Sequence, residues 1–174
     1  MDDIARELGI LKGSLYYWID SKEALLQEVL AGGVRETIAE AMAIADLDLP
    51  ASERLSRMVR SHIDSWLNNP DHFNVFLSEW RWLEPEHLES YHHDKDQLEE
   101  TYRRVIRDGI ASGEFKADAR EVSVLVNGIF GVMNWFPRWY REGGWATPHQ
   151  IADMLSGMVI NGLRGRHPIA ASER

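Results

Sequence analysis

No cysteine occurs among the 174 residues, which removes disulfide frameworks, thiolate zinc sites and cysteine nucleophiles. Basic side chains are also scarce. Lys and Arg total 19 against 28 Asp and Glu, a formal net charge of 19 − 28 = −9. So acidic a chain offers no broad nucleic-acid surface, and any DNA contact must come from a local patch. Long apolar runs are missing as well. The longest uncharged stretch, Val122 to Pro137, is interrupted by Ser123, Asn127 and Asn134, and it falls short of the roughly 20 apolar residues a bilayer crossing needs. The start, Met1-Asp2-Asp3, is acidic and leads into no apolar signal core. These absences predict a soluble cytoplasmic protein with no membrane partner. There is no Gly-rich phosphate loop, nucleophile elbow or paired-carboxylate arrangement, so neither an enzyme nor a cofactor is expected.

What is present is helical spacing almost everywhere, without period-two alternation, which predicts an all-α fold. Ile4, Ala5 and Leu8 form a short stripe closed by Gly9, and Leu15 and Ile19 mark a second short helix from Lys12. Ser21 is placed to cap a long helix from Lys22 to Ala45 carrying Leu25, Leu26, Val29, Leu30, Val34 and Ile38. Further helices are expected from Pro50 to about Asn68, around Phe73 to Trp80, from Glu86 to Ala111, from Val122 through a kink at Pro137 to Tyr140, and from Pro148 to about Gly165. Asp118 with Glu121 and Thr147 with Gln150 have capping-box spacing. The division drawn is 1–45 for a helix-turn-helix remnant with its connecting helix, and 46–174 for a larger helical domain.

The chain holds seven tryptophans; their large apolar area and polar N–H suit an ordinary core, an interface or an aromatic-lined pocket. His92-His93-Asp94 does not make a metal site, because adjacent helical residues point about 100° apart. No metal is expected.

Two short helices joined by a glycine-containing turn form the helix-turn-helix pattern, whose second helix can enter the DNA major groove. Lys12, Ser14, Tyr16, Tyr17 and Trp18 are left on or beside its open face. Lysine can reach guanine acceptors or phosphate, and the hydroxyls can donate to phosphate oxygens.

The segment Ile4 to Leu26 resembles the end of the DNA-binding domain of TetR-family transcriptional repressors. Ile4, Ala5, Gly9, Gly13, Ser14, Leu15, Tyr16, Trp18, Ile19, Lys22 and Leu25 all fit that family's pattern. The resemblance implies a homodimeric all-α repressor with a small reading head and a larger dimerising, ligand-sensing domain. Lys12, Gly13 and Ser14 would approach base edges of an operator duplex. Tyr16 and Lys22 would hold phosphates, with Tyr17 and Trp18 nearby; packing within the head is the other role open to Tyr16, Tyr17 and Trp18. The family's domain opens with a further helix, usually behind a basic arm, and neither precedes Ile4 here. The chain is therefore read as an N-terminally truncated member. Its first thirty residues hold 3 basic and 6 acidic side chains, net 3 − 6 = −3, which suits DNA poorly. The competing expectation is a ligand-binding protein that reads no DNA and forms mixed dimers with a full-length relative.

Arg104 to Phe115 resembles the G-x-x-x-G-x-F stretch that precedes the family's last two helices. Those helices usually pair across a two-fold axis. Ile151, Leu155, Met158, Val159, Gly162 and Leu163 make a stripe suited to that pairing, or to packing within one chain. The run Asn134-Trp135-Phe136-Pro137-Arg138-Trp139-Tyr140-Arg141 is similar to one in the FadR-like branch, which responds to acyl-coenzyme A thioesters; Glu142 stands where that branch has proline. Trp135 and Trp139 would then flank the ligand and Arg138 and Arg141 would meet phosphates, with Trp66, Phe76, Trp80 and Met133 as apolar wall. The alternative is that these aromatics close the core while the arginines reach outward.

Overall fold

The described residues fold into eight α-helices with two 3-10 turns and no strand. The helices are α1 Asp2–Glu7, α2 Lys12–Trp18, α3 Lys22–Ala45, α4 Ala51–Asn68, α5 Pro70–Ser78, α6 Pro85–Ala111, α7 Val122–Trp139 and α8 Pro148–Gly165; the turns are Trp80–Trp82 and Ala119–Glu121. The structure, a computed structural model, describes residues 1–83 and 85–165, without side chains at 30–34, 76, 81 and 86. Leu30, Val34 and Phe76, used above, therefore lie outside the described side chains.

Helix α4 is the axis of the larger part because its apolar residues recur at three and four. Leu55, Met58, Val59, His62 and Ile63 are all buried, and α3, α6, α7 and α8 pack around them. Tyr102, Val105 and Ile106 of α6 and Val122, Val126, Ile129, Met133 and Phe136 of α7 complete the core. The Tyr102 hydroxyl is satisfied inside it by donating to the Met58 carbonyl at 3.0 Å, as a buried phenol requires.

Loop chemistry fixes how these helices meet. Glu114 accepts from the Ala51 and Ser52 amides and the Ser52 hydroxyl, capping the otherwise open N-terminus of α4. Arg164 of α8 donates to that same hydroxyl. Gly109 has no side chain because the Phe115 ring occupies its place: a Cβ there would stand 2.2 Å from Phe115 Cδ2. Gly113, at φ +81°, supplies the left-handed turn that brings Phe115 back, a conformation that costs glycine nothing because it has no Cβ. The spacing G-x-x-x-G-x-F is thus a turn that folds a ring onto the preceding helix.

Both capping boxes form. Asp118 and Glu121 bond reciprocally, opening the 3-10 turn ahead of α7, and Thr147 and Gln150 do the same at α8. Ser21 accepts from the Ala24 amide at 2.9 Å and starts α3. Boundaries differ from the expectation in two helices: α5 runs Pro70–Ser78 and leaves Trp80 to the following 3-10 turn, and α7 stops early. Helix α7 contains Pro137 but ends at Trp139, because Tyr140 turns to an extended conformation and stacks on Phe136 at 4.9 Å.

The first two helices form a separate head. The amides of Gly9 and Ile10 donate to the carbonyls of Arg6 and Ala5, with Gly9 at φ +67°. This paired arrangement ends a helix sharply and aims α2 away from α1. Ala5 and Leu15 are buried between them.

Candidate ligand cavity and nucleic-acid interface

Helix α3 joins the two functional regions. Its 24 residues make a rod about 36 Å long at 1.5 Å per residue. It starts at the head and ends with Thr37, Ile38, Ala41 and Ala45 buried in the larger part. Arg54 fixes that end, donating to the Ala45 carbonyl and to Asp108 of α6.

Thr37 is also in the wall of a cavity of about 300 Å³. Helix α4 contributes His62; α5 contributes His72, Phe73 and Leu77; α6 contributes Tyr91, Lys95, Leu98 and Glu99; α7 contributes Asn127, Phe130, Gly131 and Asn134. Each set follows one helix face, since 91, 95, 98 and 99 and 127, 130, 131 and 134 are spaced by three and four. The lining is mainly apolar with a few polar groups, the usual composition of a small-molecule site.

Its polar groups fall into two sets. In the interior, His62 Nε2 lies 3.3 Å from Asn134 Oδ1, and Phe73 and Phe130 stand edge-on to the imidazole. Burial holds His62 neutral, its pKa lowered to about 4 against the pull of the Asn134 hydrogen bond, since the charged form cannot be solvated there. Burial also lowers the pKa of His72. Nδ1 of His62 and Nε2 of His72 have no hydrogen-bond partner among the described residues. The second set, on α6, is charged: Glu99 is buried and bonded by Lys95 at 2.7 Å and Arg103 at 2.5 Å.

Of the residues the sequence offers as ligand contacts, Asn134 lines this cavity. Trp80 stands behind it, stacked on Tyr91. Met133 is buried in the core, and Trp66 packs edge-on against Phe136 and Tyr140. Trp135 and Arg138 are exposed. Trp139 and Arg141 line a separate, shallower depression with Trp145, Ile151, Met154 and Leu155. Along α8, Ile151 and Leu163 point inward, Leu155 and Val159 are half-buried, and Met158 and Gly162 are exposed. Met154 and Met158, and Val124 and Trp135 of α7, are exposed apolar side chains.

Sequence reasoning missed Thr37, His72, Leu77, Tyr91, Lys95, Glu99 and Asn127 as cavity residues. A signal did exist for α7. Asn127 and Asn134 are two turns apart in its uncharged stretch, and both line the cavity.

In the head, Lys12, Gly13, Ser14, Tyr16, Tyr17, Trp18 and Lys22 are all exposed. Tyr17 and Trp18 meet edge-on at 5.2 Å without being drawn inward. Lys12 Nζ donates to Asp2 at 2.9 Å, a contact that holds the Asp2 carboxyl below its ordinary pKa and raises that of Lys12.

A helix-turn-helix head on a rod leading into a cavity-bearing helical body is the architecture of a ligand-sensing regulator. The tetracyclin repressor-like C-terminal domain family matches residues 48–163, and the chain belongs to the TetR family of transcriptional regulators. It is 26% identical over 166 residues to the HTH-type transcriptional repressor KstR2 of Rhodococcus jostii, covering 95% of this chain and 81% of that protein. It also superposes on the ketosteroid transcriptional regulator KstR2 of Mycobacterium tuberculosis with a TM-score of 0.84 at 26% identity, over 94% and 84% of the two chains. AibR, solved with isovaleryl coenzyme A and operator DNA, shares the fold with a TM-score of 0.81 at 22% identity, over 90% and 84%. Among the described residues no helix is long and apolar enough to cross a membrane.

Proposed function

We propose that this protein is a dimeric repressor that sits on a palindromic operator and leaves it when a small, largely apolar effector fills the α3–α7 cavity. The carrying observation is that α3 is at once the stem of the head and, through Thr37, a wall of the cavity. A ligand that wedges α3 from α6 and α7 tilts the rod, and a rod about 36 Å long turns a small tilt into a displacement of several ångströms at the head. Two heads spaced for successive major grooves then no longer match their half-sites. The effector needs only to prefer the tilted dimer.

In this reading Lys12, Gly13 and Ser14 approach base edges, Tyr16, Tyr17, Trp18 and Lys22 hold the backbone, and the exposed faces of α7 and α8 around Met158, Val159 and Gly162 pair across the two-fold axis. The exposed Met154 and Met158 of α8, one turn apart on one face, support the last point. The relatives supply the rest by analogy: the KstR2 proteins are repressors, and AibR holds both an acyl-coenzyme A and DNA. A cavity of about 300 Å³ takes an acyl group but not a nucleotide as well. An acyl thioester would therefore leave its coenzyme outside, where Arg138 and Arg141 are exposed and Trp135 and Trp139 stand beside them.

The second reading, a ligand-binding body that pairs with a relative and reads no DNA, draws on the acidic head and on Asp2 engaging Lys12. Selection from a random-sequence duplex library by the purified protein separates the two. Enrichment of an inverted repeat is the expected result; a library that stays random overturns the operator reading. Sedimentation at twice the chain mass is the expected state in either case.

A further inference from the structure

We infer that Lys95 is an anion-recognition site at the cavity's rim, so that the effector is a compact apolar molecule presenting one negatively charged group there. This rests on the cavity being the effector site, as proposed above, and adds the charge and position of one ligand group.

Lys95 and Glu99 are the charged residues in the cavity wall. Glu99 is buried, yet two cations bond to it, Lys95 and Arg103. Arg103 is the more enclosed of the two, with 18% of its side chain exposed against 47% for Lys95. Glu100 has a partner of its own in Arg107 on the next turn, so Arg103 stays available to Glu99. Asp94 and Asp96 flank Lys95 in sequence but stand about 100° around the helix from it.

Lys95 is therefore the mobile member. A half-exposed ion pair is weak, so its ammonium can leave Glu99 for a ligand while Arg103 keeps the carboxylate neutralised. Asn127 and Gly131, exposed on the facing helix α7, add small and neutral groups, so that Glu99, held by Arg103, is the one carboxylate among the cavity's described lining residues. Deeper in, Phe73, Leu77, Leu98 and Phe130 accept the apolar body, and the neutral imidazole of His62 admits a polar but uncharged group. The wall thus joins an apolar lining to one half-exposed ammonium.

Two fluorescent probes test this. 1-Anilinonaphthalene-8-sulfonate and N-phenyl-1-naphthylamine have the same aromatic body, and only the first is charged. Both are titrated into the intact protein. Lys95→Gln is expected to weaken the sulfonate about 5- to 10-fold and to change the neutral probe less than twofold, while Lys95→Arg keeps the preference for the sulfonate. Equal effects on the two probes, or none, overturn the anion site. Leu98→Trp, which fills the cavity, is expected to weaken both; binding of both probes unaffected by it removes the cavity reading itself, and this proposal with it. Displacement of the neutral probe by decanoate and by decanoyl-coenzyme A then identifies the source of the charge. A Lys95→Gln defect confined to decanoate assigns it to the ligand's own carboxylate; a defect confined to the thioester assigns it to the coenzyme phosphates.

Discussion

In α1 and α2 two side chains, Ala5 and Leu15, are buried, and Ile4, Leu8, Ile10 and Leu11 are all exposed beside them. In α4 alone seven residues are buried, and rings such as Phe136 and Tyr102 have essentially no exposed surface. The head and the body are therefore shaped by different physics. The body's helix angles follow from close packing, which punishes a change of one methylene. The head's crossing follows from a glycine turn and two helix ends, which hold a geometry with little core behind them. Regions with few buried contacts open at low free energy, so the head is expected to exchange its amides well before the body does.

The largest separation between the two should come from deleting a ring. Phe136→Ala removes a fully enclosed side chain that touches Trp66, Trp139 and Tyr140, and a loss of about 3–5 kcal/mol is expected. Urea unfolding followed by tryptophan fluorescence measures it. A loss below about 1 kcal/mol would mean that the packing there is not close.

Acid should divide the molecule next. The folded pKa of His62, about 4, lies below the unfolded value near 6.5, so in that interval the unfolded chain binds the extra proton. Stability is thus complete above about pH 6.5 and falls as pH drops toward about 4, by roughly 3 kcal/mol across the window. His72 adds to the same slope, its pKa also lowered by burial. Residues 1–45 contain no histidine, so hydrogen exchange between about pH 6.5 and 4.5 should accelerate in α4, α5 and α7 beyond its intrinsic pH dependence, with no matching change in α1 and α2. His62→Gln should flatten the stability profile; an unchanged slope in that variant would place the linkage elsewhere.

Gly109→Ala comes third. Its methyl group would meet Phe115 carbons at 2.2 and 2.4 Å and Ala51 Cβ at 3.0 Å, so the ring must move, at a cost of about 1–3 kcal/mol. The double variant with Phe115→Leu should show coupling, since the second change clears the space that the first one needs. Strictly additive losses would refute the ring-on-glycine account.

These contrasts also explain what was legible in the sequence. Helices were readable because their causes are local: Ser21, Asp118 with Glu121, and Thr147 with Gln150 each satisfy amides a few residues away. The cavity was less readable, because a wall needs five helices to converge, and no spacing within α6 says that Tyr91, Lys95 and Leu98 will face Phe130 across empty space. The tryptophan–arginine segment drew attention through composition. Trp135 and Arg138 stand outward and Trp66 belongs to the core, so that among the segment's candidates it is Asn134 that reaches the cavity. An apolar residue type does not say which of two apolar environments it enters. Along α8 the same ambiguity divides Ile151 from Met158, both on a stripe that periodicity treats as one.

At the junction, Ser21→Ala removes the oxygen that accepts the Ala24 amide, and a loss of about 1 kcal/mol is usual for such a cap. The loss should be local: faster exchange in the first turn of α3, with the body's unfolding midpoint almost unmoved. If the midpoint falls with the exchange, α3 is one cooperative unit and transmits strain from the cavity to the head more rigidly than a frayed rod would.

The smallest effect on stability should belong to Tyr17→Ala. Tyr17 is 82% exposed, and surface changes of this kind stay within about 0.5 kcal/mol. If α2 is a reading helix, the same substitution should weaken binding to the selected inverted repeat several-fold, and Lys12→Gln more. Asp2→Asn, which frees Lys12 from its carboxylate, should strengthen binding at low salt and lose that advantage as salt screens the exposed pair. A side chain that contributes nothing to the fold and yet governs binding is kept for its partner. Equal indifference of folding and DNA binding to Tyr17, Lys12 and Asp2 would leave the head without a use for the face it exposes.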